Sequence, residues 1–436
     1  MNNQYEQVEE YVLNLLESGI QGRLPAARRI AQEISVSFPA VQSTLNTLAR
    51  KGLLEIRPRQ GVFVRENWQE RILDYNFTFF RNDMNWKNGL RDIVRSEIPE
   101  IRFCKKFVRG MFELRTTLSV QQNFYEFRDL SGFLPGNMED FFSVPFRDFI
   151  HDGKIFGIPW VFSPRVLYCN KKLLRQNGVE LPSDFWNCEE FLRIVKELRK
   201  HLKGEEILNW SSRIYYWMNF VARSGGALID YSAADADPVQ IDSPATRRGI
   251  AYCRELGEVL NISSPNNIDY MERFRRGELC FSLDTRGLGH WLSEEMRENV
   301  QILPLPCWHD GKDLSMQATE LLCVRKECVD DDLIRRFIHV MLSPEVQEFI
   351  GRAHYGIPVL KEAAFKSLDI EKSSDAVFLS QLSKLTANYN LASPELSSVI
   401  SSGIASGLSG EEDLETVTAE LASLARTFLK YKGGKL

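Results

Sequence analysis

Residues 23–64 read RLPAARRIAQEISVSFPAVQSTLNTLARKGLLEIRPRQGVFV, and their capping and turn residues decide the fold of the N-terminal region. Leu24-Pro25 opens a short helix, because proline suits a first helical turn. Ile30, Ala31 and Ile34 then face inward. Ser37 is a good N-cap for the next helix, with Pro39 tolerated in its first turn. Val41, Leu45 and Leu48 form its apolar stripe, and Lys51-Gly52 ends it with a cation and a C-terminal glycine. Leu53 to Ile56 alternates, Pro58 to Gly61 makes a turn, and Val62 to Val64 reads as a second strand. Upstream, Tyr5, Val8, Val12, Leu15 and Leu16 recur at three- and four-residue spacing, a helix stopped by Gly19 and Gly22. Three helices and a hairpin in this order predict a winged helix-turn-helix, with the third helix offered to the major groove and the hairpin beside it.

Charge agrees. From Gln21 to Glu66 there are seven arginines and Lys51 against Glu33, Glu55 and Glu66, a net +5. The whole chain carries −5, so the remainder carries −10. A basic patch on an acidic protein is an electrostatic footprint for phosphate. The alternative is a protein-binding winged helix with a solvated basic face.

The same stretch resembles the DNA-binding domain of the GntR family. That family typically carries Leu-Pro-Ser-Glu-Arg-Glu-Leu-Ala, then Ser-Arg-x-Thr-Val-Arg-x-Ala-Leu, then a Gly-x-Gly-Thr-Phe-Val wing. Leu24, Pro25, Arg28, Ala31, Ser37, Val41, Leu45, Gly52, Leu53, Gly61, Phe63 and Val64 match, over about 40 residues. Phe38 and Gln42 stand where the family has its two recognition-helix arginines, Ala26-Ala27 replaces its Ser-Glu, and Arg59 replaces its first wing glycine. The resemblance implies that Arg28 contacts DNA and that Gly61 shapes the wing. Ser37, Gln42, Ser43 and Asn46 are short polar side chains on the exposed face of the third helix, and Gln and Asn pair with adenine edges. Arg57 and Arg59 are placed to meet phosphate or the minor groove.

Length and composition bound the rest. At 436 residues the chain predicts about three folding units. With 44% hydrophobic and 26% charged residues it is globular, not disordered. The longest uncharged run, Leu396 to Gly410, is 15 residues rich in Ser and Gly, too short and polar to span a bilayer. The first basic residue, Arg23, follows four glutamates, unlike a secretory signal. The expected compartment is the cytoplasm, with no membrane partner. Eight scattered cysteines without a Cys-x-x-Cys read as reduced core residues, so no metal site and no cofactor are expected.

Past Trp68, Ile72 to Phe80 reads as a strand, Trp86, Leu90, Ile93 and Val94 as a helix broken by Pro99, and Ile101 to Phe107 as another strand. This alternation suggests an α/β body. From Phe103 to Phe133 the pattern is weak. A turn at Asp152-Gly153 then leads into a strand at Ile155 to Pro159. A second strand, Val166 to Asn170, runs into a helix near Lys172, and Pro182-Ser183 precedes a long helix with Phe191, Ile194, Val195 and Leu198 on one face. Near the end, Ser409 and Glu412 fit a capping box for a helix striped by Leu414, Val417, Leu421, Leu424 and Phe428.

Asp152 to Pro159, Leu167 to Lys171, Trp217 to Gly226, Phe274 to Phe281, Pro304 to Pro306, Ser343 to Gln347 and Gly356 to Val359 follow one another in register. Together they resemble the sugar-binding extracellular solute-binding proteins of bacterial ABC importers, over about Leu130 to Lys430. The resemblance implies two α/β lobes joined by a hinge, with a ligand between them. The expected fold is α/β overall. A winged helix-turn-helix over 1–67 is followed by a two-lobed, type II periplasmic-binding-protein-like domain over 68–436. Trp160, Tyr168, Trp217, Trp291 and Tyr355 follow motifs near the cleft by resemblance, where aromatic faces stack on sugar C–H groups; ordinary core packing is the alternative. Asp284-Thr285-Arg286 stands where the family has Gly-Ser-Trp, and Asp284 and Arg286 are ligand contacts by resemblance, or an ion pair. No Gly-x-Ser-x-Gly, P-loop or His-Glu-x-x-His occurs, so no catalytic residues are expected. The expected function is a ligand-responsive transcriptional regulator, a homodimer that binds double-stranded operator DNA and a small effector, a sugar by resemblance. The alternative is a degenerate solute-binding domain serving as a dimerisation or protein-interaction scaffold.

Overall fold

A computed structural model describes residues 4–68, 72–78, 87–99, 101–104, 109–151, 153–182, 185–230, 237–369, 373–386 and 394–431. They divide into two compact units. The first runs to Arg115 and includes Leu322–Ile334; the second comprises Thr116–Leu321 and Arg335 onward.

The first unit opens with helices α1 (Gln4–Glu17), α2 (Ala27–Glu33) and α3 (Phe38–Arg50) and the hairpin β1 (Leu54–Arg57) and β2 (Gly61–Val64). The hairpin is antiparallel, with Leu54 opposite Val64 and Arg57 opposite Gly61. Val8, Val12, Leu16, Leu24, Ile30, Val41, Leu45, Leu48, Leu53 and Leu54 close one apolar core, and Trp68 packs into it. Helix α2 starts two residues later than the proline suggested: Pro25 precedes the N-cap, Ala26, whose ψ of 142 is not yet helical.

The unit continues as β3 (Ile72–Thr78), α4 (Lys87–Glu97), β4 (Arg102–Cys104) and β5 (Arg109–Thr116). Strand β3 lies between β4 and β5 and is parallel to both, the arrangement that helical crossovers produce. The expected strand ends at Phe79-Phe80 and Lys105–Phe107, and Trp86, lie outside the described residues, as do Asp152 and Ser183. Leu322–Ile334 returns to β5: the Arg325 amide donates to Met111 O at 2.8 Å and its guanidinium stands 3.8 Å from the buried Glu113.

The second unit begins with α5 (Thr117–Asn123) and holds two sheet regions. In one, Ile158–Ser163, buried on both faces, pairs antiparallel with Ile357–Pro358. In the other, Val166–Asn170 lies between antiparallel neighbours Phe281–Asp284 and Val300–Leu303. Around the latter pack the helices Cys188–Leu198, Ile214–Arg223, Pro244–Leu260, Pro394–Ser409 and Leu414–Tyr431. The last helix is not started by the Ser409/Glu412 capping box. Ser409 donates back to Ser406 O, and Asp413 accepts from the Thr416 amide at 3.0 Å. Its apolar stripe is rotated too: Leu424 is exposed, while Thr418, Ala422 and Ala425 are buried beside Val417 and Leu421.

Candidate functional site

Helix α3 is held at its start by Ser37, whose hydroxyl oxygen accepts from the Ala40 amide at 3.4 Å and whose O–H donates to Gln4 Oε1 at 2.7 Å. With that start fixed, the helical period sends Val41, Thr44, Leu45 and Leu48 inward. It sends Gln42, Ser43, Asn46 and Arg50 outward, all exposed. Arg28 is exposed, with its guanidinium carbon 6.0 Å from the Phe38 ring centroid at the same helix end.

On the wing, Arg57 lies over the Phe63 ring at 4.4 Å and bonds Glu55 at 2.9 Å, which holds the guanidinium against the hairpin. Arg59 sits at φ 63, the left-handed conformation that a glycine in its place would take without strain. Gly61 has φ +116, and a Cβ there would stand 2.8 Å from Arg23 Nε. Seven of the eight expected DNA-facing residues are therefore exposed: Arg28, Ser37, Gln42, Ser43, Asn46, Arg57 and Arg59. Ser37 is occupied as a cap, and Gly61 serves the turn. Arg23 and Arg50 join this face and were not singled out by sequence, although Arg50 is the basic residue of the last helical turn.

In the second unit, two chain crossings run side by side. Ser163–Val166 leaves one sheet for the other, and Asp284 stands opposite Val166 before the chain turns through Thr285 to Arg286. The Arg286 amide donates to Ser163 Oγ at 2.9 Å, tying the crossings together. The expected ligand residues distribute unevenly about them. Trp160 is buried, its indole N–H donating to Met341 O at 3.0 Å and its ring 6.3 Å from Tyr355. Tyr168 is buried and donates to Thr285 O at 2.8 Å; burial, with the charge of Asp284, holds its phenol well above the usual range. Trp217 is buried and donates to Ser212 O at 3.1 Å. Tyr355 is buried and bonds Glu320.

Arg286 is also buried. Its guanidinium donates to the carbonyls of Gly351, Gly356 and Ser367, meets His354, and stands 3.5 Å from Asp375. Burial pulls its pKa down, partly offset by Asp375. The structure thus gives five of the seven residues packing and framework contacts in place of an open face, because each finds its polar partners inside the chain. Asp284 and Trp291 remain part-exposed; Asp284 accepts from the Thr285 amide at 2.7 Å, and Trp291 Nε1 has no hydrogen-bond partner. Beside the crossings, Arg165 lies over the ring of the part-exposed Tyr215 at 5.1 Å. Both flank motifs visible in the sequence, Arg165 before Leu167–Lys171 and Tyr215 before Trp217–Gly226, but no local pattern distinguishes them. A separate polar cavity of about 190 Å³ opens between Lys172, Arg275, Arg276, Ser293, Glu295 and Asn299. Among the described residues, no group of three or more His, Cys, Asp or Glu side chains is placed to hold a metal ion, and no helix is long and apolar enough to cross a membrane.

Residues 117–376 match the family described as bacterial extracellular solute-binding protein. The chain belongs to that family. Residues 4–64 match the gntR family of bacterial regulatory proteins, so the solute-binding domain follows a regulator-type DNA-binding domain. The chain is similar to a maltooligosaccharide ABC transporter solute-binding lipoprotein of Streptococcus pneumoniae, 20% identical over 308 residues, 65% of this chain and 68% of that protein. Its fold matches the GacH receptor of Streptomyces glaucescens, solved unliganded and with acarbose, at TM-score 0.67, 18% identity and coverage of 82% and 98% of the two chains. It also matches an ABC transporter solute-binding protein of Thermotoga lettingae bound with α-D-tagatose, at TM-score 0.68, 13% identity and coverage of 82% and 99%. The expected architecture, a winged helix-turn-helix followed by a two-lobed periplasmic-binding-protein-like domain, is the observed one. The matched families are a regulatory and a solute-binding family.

Proposed function

We propose that this chain is a cytoplasmic, ligand-responsive transcriptional regulator. Its winged helix binds operator DNA as part of a homodimer, and its two-lobed domain senses a small molecule, a carbohydrate. The observation that carries the reading is the exposed row Gln42, Ser43, Asn46 and Arg50 on α3, flanked by Arg28 and the wing arginines, on one chain with a solute-binding domain. Amide side chains suit adenine edges and guanidinium groups suit guanine or phosphate. The sugars held by the structural relatives support a saccharide ligand. Asp284 and Trp291, with Arg165 and Tyr215, are the side chains through which this protein would hold it, by hydrogen bonds and by ring stacking. Lobe closure on a ligand is a hinge motion that changes the separation of two DNA-binding heads, and a palindromic site accepts only separations near one helical turn or its multiples.

The test is a thermal-shift screen with maltose, maltotriose, acarbose and tagatose, followed by DNA binding with and without any hit. A native-state ligand at 100 times its Kd adds about 2.7 kcal/mol, and at about 2–4 °C per kcal/mol for a domain of about 150–250 residues, less for a larger one, the melting transition moves by several degrees. A sugar that shifts melting and changes DNA affinity supports the reading; a hit that leaves DNA affinity untouched sinks the sensing half. A second reading has its own observation. Because Trp160, Tyr168, Trp217, Arg286 and Tyr355 are satisfied internally, the domain also suits a scaffold that binds no sugar. Silence across the screen with a folded sample favours that reading.

A further inference from the structure

Helix α1 is gripped on two sides. On one side it is tied to α3. Gln4 Oε1 accepts from the amide and hydroxyl of Ser37 at 3.1 and 2.7 Å, the Thr44 hydroxyl donates to Tyr5 O at 3.4 Å, and Glu9 Oε1 stands 3.8 Å from Lys51 Nζ at the C-cap of α3. On the other side it is tied to the α/β layer. Glu9 Oε2 pairs with Arg102, the first residue of β4, and Glu10 Oε1 stands 3.8 Å from Arg91 on α4. Glu9 itself is 6% exposed. A buried carboxylate is costly unless it is paired, so its position is set by its cations and theirs by it. One side chain therefore links the end of the recognition helix to the first residue of a strand in the sheet layer.

We propose that Glu9 is the positioning residue that fixes the angle of α3 against the β3–α4–β4 layer, so that movement of that layer is carried to the DNA-binding face. The proposal rests on the regulator reading and adds to it the residue that transmits the signal. A carboxylate that merely stabilised the head would, when removed, weaken binding to every DNA alike. A carboxylate that sets an angle would, when removed, relax the preference for one half-site separation.

The experiment selects duplex DNA from a random pool with the full-length wild-type chain. Affinity is then measured for the selected duplex and for versions with one or two base pairs inserted or removed between half-sites. Wild type is expected to prefer its own spacing by about ten-fold or more, since half-site separation is a geometric constraint. Glu9→Gln and Arg102→Gln are each expected to reduce that preference to about two-fold or less, because the angle is no longer held. The double swap Glu9→Arg with Arg102→Glu is expected to recover part of it. Arg102 is a third exposed along its side chain, so its variant carries the test if Glu9→Gln does not fold. A variant that loses affinity equally on all spacings, with the wild-type optimum retained, overturns the proposal and leaves the regulator reading standing. A wild-type chain that selects no DNA overturns the regulator reading itself, and this proposal with it.

Discussion

Arg286 Nε stands 3.5 Å from Asp375 Oδ1 with both side chains under a tenth exposed, an ion pair inside the second unit. The guanidinium also gathers three carbonyls, from Gly351, Gly356 and Ser367, at 2.9–3.1 Å. With its backbone amide on Ser163, Arg286 joins that crossing to the ends of the helices Pro344–Arg352 and Lys361–Ser367 and to the helix that carries Asp375. A residue so engaged is a strut. Arg286→Met would leave a buried carboxylate without its cation and take one donor from each of three carbonyls, of which Gly351 O keeps the His354 amide at 3.0 Å. It is expected to cost about 3–5 kcal/mol in urea unfolding, the range for breaking a buried pair. A loss within about 0.5 kcal/mol, the usual size for surface changes, would contradict the strut.

The exposed face of α3 separates recognition from stability. Gln42→Ala and Asn46→Ala remove exposed side chains, so unfolding should change by no more than about 0.5 kcal/mol. Each is expected to cost about 1–3 kcal/mol of discrimination at one base position of the selected DNA. Ser37→Ala should do the reverse and lower stability by about 1 kcal/mol through the lost cap. Competition binding on single-base variants, alongside denaturation, distinguishes the two classes.

Arg59 sets stability against binding. At φ 63 its backbone carries about 1–2 kcal/mol of left-handed strain, while a glycine costs about 0.5–1 kcal/mol in chain entropy. Arg59→Gly is therefore expected to stabilise the protein by several tenths of a kcal/mol up to about 1 kcal/mol. If Arg59 meets a phosphate, the same change weakens DNA binding and reduces the salt slope by about 0.9. Unchanged affinity and slope would take Arg59 off the contact surface.

The head was legible because its signals are local. Ser37 caps, Pro39 enters the first turn, and Lys51-Gly52 stops the helix, each signal readable from its immediate chain neighbours with no tertiary partner needed. The strand Val166–Asn170 was equally legible, and it begins and ends where its sequence does. Arg109–Thr116 was not: Gly110 interrupts it and the buried Glu113 breaks the alternation, a pattern that makes sense once Arg115 and the distant Arg325 are both beside the carboxylate. At Ser409 a true capping-box spelling lost to Asp413, four residues on, because the chain needed those residues for the turn between two packed helices. The aromatic residues failed for a different reason. Trp160 lies on a strand buried on both faces, and no periodicity distinguishes a tryptophan packed in such a strand from one lining a cleft.

Trp160 and Trp291 divide the two roles. Trp160→Ala removes a buried ring and its bond to Met341 O, with an expected loss of about 3–5 kcal/mol in stability. Trp291→Ala, on a part-exposed ring, should cost far less in unfolding and remove the thermal shift produced by a sugar hit. Retention of the full shift in Trp291→Ala would take that ring out of the ligand site.

Buried thiols make stability fall with alkali. Burial holds Cys169, Cys253 and Cys323 well above the ordinary thiol range and pushes Cys280 up to about 12, helped by the charge of Glu206. In the unfolded chain these thiols ionise near pH 8.5–9, at about their reference value. Below that pH both states hold the proton and the contribution is intact. Above it the unfolded chain loses protons that the folded chain keeps, so stability declines until the folded pKa is reached. Each thiol adds about 1.4 kcal/mol of loss per pH unit in that window. Tyr168, Tyr216 and Tyr252, raised by the same burial, extend the decline above pH 10, where unfolded tyrosine ionises. Urea midpoints under reducing conditions should therefore be level from pH 7 to 8 and drop between pH 9 and 10.5. Cys280→Ala is expected to lower stability at pH 7 and to flatten the drop by one thiol's share. An identical drop in wild type and Cys280→Ala would show that this thiol ionises as readily in the folded chain as in the unfolded one.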